Sequence, residues 1–259
     1  MDSPTSPFGA STKVEKQLTG RIDRNKIKLT EIPRISQQII DAFKALGDAT
    51  CAISDALDEL GIPGAIAGSS LRGITAGSRV VGTALTLKNE ARLDDPASAA
   101  QLKNNLMAEM ECHNLAVAGD VLVIQGVQGA SNMGGVGGRL GKRQGELGAV
   151  VDGFVRDVGD FREVDYPIWS TGITPMTGKW RVKSVEINGP VTICGVEVNP
   201  GDLVVADDTG VCFVPFQRIN EVLLFAQRKT QTELDLTRKI LAGWSAPELT
   251  GAVKRRESD

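Results

Sequence analysis

Val121-Leu-Val-Ile-Gln-Gly126 and Ala149-Val-Val-Asp-Gly-Phe-Val-Arg-Asp-Val-Gly-Asp160 bracket a glycine-dense loop that runs from Gly126 to Gly148. The two apolar runs are short and rich in Val and Ile. Each is bounded by glycine and polar residues, the pattern of a buried strand. Apolar at nearly every position, they predict a sheet covered on both faces. A Gly-rich loop follows one strand and an Arg-Asp pair the next. Backbone amides and two opposite charges therefore meet at neighbouring strand ends, where α/β proteins usually bind ligands.

Upstream, Ser36 to Leu46 has helical spacing (Ile39, Ile40, Phe43, Leu46), with Ser36 as N-cap and Gly47 as stop. Thr50 to Leu60 predicts a second helix with Ile53, Ala56, Leu57 and Leu60 on one face. Arg79 to Lys88 reads as a strand, and Asp94-Asp95-Pro96 caps a helix running to about Glu111. Downstream, Tyr166 to Ser170 is a strand. Val182 to Ile187 and Val191 to Val198 flank Asn188-Gly189, a hairpin signal. A further hairpin joins Asp202–Ala206 to Val211–Pro215. Phe216 to Leu241 is a long charged helix with Ile219, Leu223, Ala226 and Leu234 as buried candidates. Helices alternate with strands in the middle and hairpins gather near the end. This predicts a single α/β domain with a mixed sheet, or two sheets with helices on one side. The expected division is an arm over 1–30, partly disordered, a domain over 31–215, a helix over 216–243 and a loose tail over 244–259.

Of 259 residues, 41% are hydrophobic and 24% charged, with a formal net charge of −3. The largest basic cluster is Lys254-Arg-Arg, which disfavours nucleic acid as the main partner. No run approaches ~18 apolar residues, so no membrane span is expected. No signal peptide is visible at the amino terminus, so the cytoplasm is the expected compartment. The cysteines (Cys51, Cys112, Cys194, Cys212) have no CxxC spacing, and reduced thiols are expected. His113 is the only histidine. Catalytic triads and multi-His metal sites are thereby excluded. It is read as a satisfied structural histidine in the turn after a helix. Acid–base chemistry falls to carboxylates, Lys, Tyr166 or metal-bound water.

The loop does not match a dinucleotide fingerprint, because from Gly135 the third glycine arrives one residue late, at Gly141. Amides at a helix start still cradle an anion, a carboxylate as well as a phosphate. Arg156 offers a planar fork for a carboxylate or carbonyl oxygen. Asp157 offers a hard oxygen to Mg²⁺ or Mn²⁺. The plainer alternatives are glycines that only permit close packing and a surface ion-pair network of Arg156, Asp157 and Asp160.

Several segments together resemble the RraA-like family, which includes the 4-hydroxy-4-methyl-2-oxoglutarate aldolases. They are Thr50 to Leu57, Val80 to Thr86, Gly119 to Val123, Gly148 to Asp157, Gly172 to Pro175, Val191 to Val196 and Pro200 to Val211. They cover about Asp48 to Pro215 in consistent order. Asp-Gly-x-Val-Arg-Asp and Pro-Gly-Asp-x-x-x-Ala-Asp are the more specific pieces. The resemblance implies a β/β/α swivelling-type fold and a homotrimer or homohexamer with sites between subunits. It also implies a class II aldolase or oxaloacetate decarboxylase. In that reading a small 2-keto acid binds a divalent metal, Mg²⁺ or Mn²⁺, ligated by Asp157. Arg156 holds substrate oxygen, and Asp160 matches an acidic position beyond the pair. The substrate carboxylate lies on amides of Gly134, Gly135, Val136 and Gly137. Lys179 and Glu233 are further candidates, Glu233 towards a neighbour's site. The family's aldolases carry an acidic residue where this chain has Gly135, which leaves the proton-transfer step open. The alternative is a non-enzymatic regulator like RraA, a ribonuclease inhibitor. Such members lack the aspartate of the Arg-Asp pair.

Overall fold

The structure, a computed structural model, describes residues 16–252. The disorder expected of the first ten residues and the last part of the tail lie outside them. The chain first forms α1 (Gln37–Lys44), α2 (Ala49–Glu59), β1 (Ala65–Ala67), β2 (Arg72–Gly73) and β3 (Val80–Ala91). Then follow α3 (Pro96–Gln101), α4 (Glu109–Leu115), β4 (Asp120–Gln125), β5 (Ser131–Met133), α5 (Gly135–Gln144), β6 (Gly148–Val155) and α6 (Val158–Glu163). The last elements are β7 (Ile168–Ile173), β8 (Val182–Ile187), β9 (Val191–Ile193), β10 (Val196–Val198), β11 (Leu203–Ala206), β12 (Gly210–Val214), α7 (Ile219–Leu241) and α8 (Ala246–Leu249).

Among the described residues, one mixed sheet of ten strands runs β1-β12-β11-β3-β4-β6-β7-β2, with β5 beside β6 and β8 beside β3. Its middle, β3-β4-β6-β7, is parallel. Alternation along the strands sorts the core into faces. Leu85, Leu122, Ile124, Ala149 and Val151 pack with α4, and with Phe161 of α6, on one side. On the same side, Val81, Leu203, Val205 and Val214 meet α1, α2 and α7. Val80, Ala84, Val121, Val123 and Val150 face the other way, against Leu71, Trp169 and the β9–β10 hairpin. Helices, sheet and hairpin thus form the expected β/β/α layering. The central strands β4 and β6 are covered on both sides, as their sequence predicts.

Three local expectations are corrected. The helix expected from Pro96 to about Glu111 is two helices. Asp95 caps the first by accepting from Ser98 N at 2.9 Å. That helix ends through left-handed Lys103 (φ 52°), with Asn104 N donating back to Ala99 O at 3.0 Å. The linker then ties to β8, since Ser184 N donates to Leu106 O and Ala108 N to Ser184 Oγ. Asn188-Gly189 is not a hairpin, because β8 pairs with β3. Asn188 has φ 52°, and its side chain accepts from Thr86 N and donates to Leu29 O, securing the strand exit instead. The tight turn is Cys194-Gly195, with φ 46° and 89°, the double positive φ that short hairpins need. Finally, Leu234 is 48% exposed on the outlying half of α7, while Ile219, Leu223 and Ala226 are buried as expected.

The second half of the arm packs on its own domain. Ile27 and Ile32 are buried in the core, and Lys28 N donates to Ile187 O at 2.9 Å. Arg34 pairs with the fully buried Asp120 at the start of β4. Burial pushes the Asp120 carboxyl up to about 6, outweighing the attraction of Arg34. Arg34→Ala leaves that carboxylate unpaired in the interior, at a cost of about 3 kcal/mol at pH 8. A group with a raised folded-state value loses its stabilising contribution as pH rises through that value. The penalty should therefore shrink at pH 5, where Asp120 is protonated. Urea unfolding of both proteins at the two pH values checks this.

Candidate functional site

Parallel strands β4 and β6 end side by side, and the chain leaves each in a tight connection. After β4 it makes a short excursion through β5 and enters α5. The glycine-dense segment is thus largely helix, although glycine costs about 1 kcal/mol per helical position relative to alanine. Tertiary packing uses those glycines. A Cβ on Gly138 would stand 2.6 Å from the buried Phe161 ring. A Cβ on Gly135 would stand 2.5 Å from Asp160 Cβ and Cγ. The glycines let α6 lie directly against α5.

After β6, Arg156 keeps to the sheet, its N donating to Met133 O at 3.2 Å. Asp157 then turns left-handed (φ 59°, ψ 43°) at the start of α6. Aspartate tolerates this conformation better than most residues. Asp157 Oδ2 accepts from Gly135 N at 3.2 Å and lies 3.3 Å from Arg156 Nε. The two charges therefore pair directly. Their side chains are 32% and 42% exposed, so the pair itself contributes only about 0–1 kcal/mol.

The first-turn amides of α5, on Gly135, Val136 and Gly137, have no intrahelical acceptor. They present a partial positive charge beside the carboxylates. Asp160, on the first turn of α6, pairs with Arg139 at 3.4 Å, and Arg139 also holds Glu163 at 2.8 Å. Gly134, Gly135, Val136, Gly137, Arg156, Asp157 and Asp160 are thus one assembly at the ends of β5 and β6. Lys179 is exposed on the loop before β8, at the edge of this assembly and within electrostatic reach of Glu109. Glu233 is not brought there within one chain. It stands on the exposed half of α7, near Lys229, which binds Glu59 of α2.

The sequence does not single out Glu109, and the expectation for His113 is corrected. His113 lies inside α4, not in a turn after it, and is fully buried. It is only half satisfied. Nδ1 is 2.8 Å from Glu146 Oε1, and Tyr166 OH donates to the other Glu146 oxygen at 2.6 Å. Nε2 has no partner. Glu109, one turn earlier on α4, has a shielded Oε2 that also lacks a partner. An acidic and an imidazole side chain at i and i+4 on one helix was the available signal.

Among the described residues no group of three or more His, Cys, Asp or Glu side chains forms a metal cage. Nor is any helix long and apolar enough to cross a membrane. Asp157, with Asp160 in the first turn of α6, offers instead one or two hard oxygens with the other positions open. That donor set suits Mg²⁺ or Mn²⁺, which retain water and take substrate oxygens.

The fold and this strand-end site define a mixed-sheet α/β protein with a candidate site at its parallel strand ends, and comparison with known proteins gives the family. The model of the RraA-like family, Aldolase/RraA, matches residues 50–213, and the chain belongs to that family. Protein DlpA of Legionella pneumophila is 32% identical over 199 residues, 77% of this chain. The match spans only 30% of DlpA's own length. A Halalkalibacterium halodurans protein, named provisionally as a 4-hydroxy-4-methyl-2-oxoglutarate aldolase, is 31% identical over 70% of this chain and 79% of its own. Streptomyces coelicolor RraAS2, described as an unusual member of the RNase ES inhibitor RraA family, superposes with a TM-score of 0.65. It is 32% identical over 79% of this chain and 98% of its own.

Proposed function

We propose that the protein is a divalent-metal-dependent lyase that cleaves or decarboxylates a small 2-keto acid, such as 4-hydroxy-4-methyl-2-oxoglutarate or oxaloacetate. The observation that carries this reading is the meeting of Arg156 and Asp157 with the first turn of α5, where Gly135 N donates to Asp157 and the next amides have no intrahelical acceptor. Asp157 would hold Mg²⁺ or Mn²⁺, which supplies an electron sink beside the keto oxygen. The amides of Val136 and Gly137 receive the substrate carboxylate. Arg156 places its fork on the oxygen where negative charge develops. Asp160 fills the space that a side chain at position 135 would need and would present its carboxylate to water at the metal, without itself carrying the proton-transfer step. A panel of 2-keto acids, assayed with Mg²⁺ or Mn²⁺ against a chelator control, tests the reading. Turnover of none of them would remove it.

The likeness to RraAS2 favours a second reading, a regulator that binds another protein. Against it stands Asp157, the residue that resemblance to the regulators leads one to expect missing. We also propose self-association as a trimer or hexamer, in which Glu233 approaches a neighbour's site. Supporting this, the outlying half of α7 exposes Leu234, Leu236, Ile240 and Leu241. Light scattering at micromolar concentration should give three or six times the 27.5 kDa chain mass. A monomer would exclude a shared site.

A further inference from the structure

Among the described residues only two shielded side-chain polar atoms lack a partner, Glu109 Oε2 and His113 Nε2. A buried polar atom without a partner costs free energy, so such atoms call for a functional or solvent explanation. These two share one face of α4, a turn apart. His113 faces the first turn of α5, and Glu109 lies within electrostatic reach of Arg156. His113 Nε2 is 3.0 Å from where a Cβ on Gly137 would stand, in the first turn of α5. Gly134, at the head of that turn, packs against Arg156 and Asp157.

Glu109 is part-exposed as a residue, yet its Oε2 is shielded. The charges that face it are His113, Arg156, Lys179 and Arg21, all favouring the carboxylate. Desolvation outweighs them and lifts the carboxyl to about 7. A carboxyl near neutrality within electrostatic reach of an arginine is suited to give and take protons. Arg156 and Asp157 are poorly placed for that task. The guanidinium does not release its proton, and Asp157 already accepts from Gly135 N.

We propose that Glu109 is the acid–base residue of the site, transferring a proton to and from C3 of the 2-keto acid. This rests on the lyase reading above. In oxaloacetate cleavage the bond between C3 and the departing carboxylate breaks, and CO₂ leaves. The electron pair remains as the enolate of pyruvate. The Glu109 carboxyl then gives its proton to C3. A C–H bond forms, the carboxylate is left, and solvent reprotonates it. His113, held on its other nitrogen by Glu146, lies one turn away and favours the carboxylate form of Glu109.

The test is hydrogen exchange at the methyl group of pyruvate, followed by NMR in D₂O with the full-length protein and Mg²⁺, alongside oxaloacetate consumption. Wild type should do both, and its exchange rate should rise as pH passes about 7, because abstraction needs the carboxylate form. Glu109→Gln should lose exchange by roughly 100-fold or more, the usual worth of a positioned acid or base. Its oxaloacetate consumption should fall less, since carbon–carbon cleavage precedes the proton transfer. Glu109→Asp, which keeps the acid, should recover part of the exchange. Exchange in Glu109→Gln within threefold of wild type overturns the proposal. So does a wild type that consumes oxaloacetate but exchanges no methyl protons, or shows a pH-independent exchange rate. A wild type that neither consumes oxaloacetate nor exchanges protons removes the lyase reading itself.

Discussion

Arg156→Lys should lower kcat for oxaloacetate decarboxylation by roughly two orders of magnitude, the usual cost of removing one donor to a developing oxyanion. The substitution preserves the charge. It removes the planar two-pronged donor that spans a carbonyl or carboxylate oxygen. Lysine also hydrates more strongly, so it holds the developing charge less directly. Metal affinity should be close to that of wild type, because Asp157 is untouched and its bond from Gly135 N remains. A donor that acts on developing charge shows its loss mainly in kcat, with a smaller change in KM. Steady-state kinetics at saturating Mg²⁺, together with a metal titration of the variant, separates the two effects. A change confined to KM would make Arg156 a binding residue only.

Asp157→Asn should fail in another way. Asparagine fits the same space and keeps one oxygen, so α6 and its left-handed first residue should survive. The lost charge weakens attraction to a dication. Half-maximal activity should therefore require at least tenfold more Mg²⁺, and high metal should restore part of the rate. Because the Arg156–Asp157 pair is about half exposed, its loss should cost the fold little, about 0–1 kcal/mol. Activity at increasing Mg²⁺, with urea unfolding as the control, checks both statements. An unchanged metal requirement would assign the pair to surface electrostatics.

Much of the fold was legible because burial writes itself into composition. In β4 and β6 most positions are covered, so Val and Ile follow one another without a polar face. The strand-end position of Arg156 and Asp157 followed from that alone. The α5 helix was harder to read. Its glycines argue locally for a loop, and the favourable term is contact with Phe161 and Asp160, residues that follow in the chain but fold back. The Asn188-Gly189 signal was misleading because side-chain bonds to Thr86 and Leu29, each more than 100 positions away, use the same left-handed backbone that a hairpin would. Glu109 gave only its i, i+4 spacing to His113 as a local sign. Its oxygen is shielded only once α4 packs beside α5, and the sequence reading placed it within a longer single helix. Likewise the partner of His113 is Glu146, 33 residues on, across a helix that the sequence reading took for a loop. The site's backbone frame was therefore readable, while its buried titratable groups were not.

The most direct test of the account is to strip the unaltered protein of metal and titrate Mn²⁺ back. Free Mn²⁺ would be followed by EPR and oxaloacetate loss by absorbance, against a protein-free control at each free Mn²⁺ concentration. The account predicts that decarboxylation above the control rises in proportion to bound Mn²⁺, saturates at one ion per chain and is abolished by EDTA. Stripped protein as active as loaded protein, or full occupancy with no decarboxylation above the control, would contradict it. In the second case the Arg156–Asp157 pair would be a structural ion pair, and the binding-protein reading would stand.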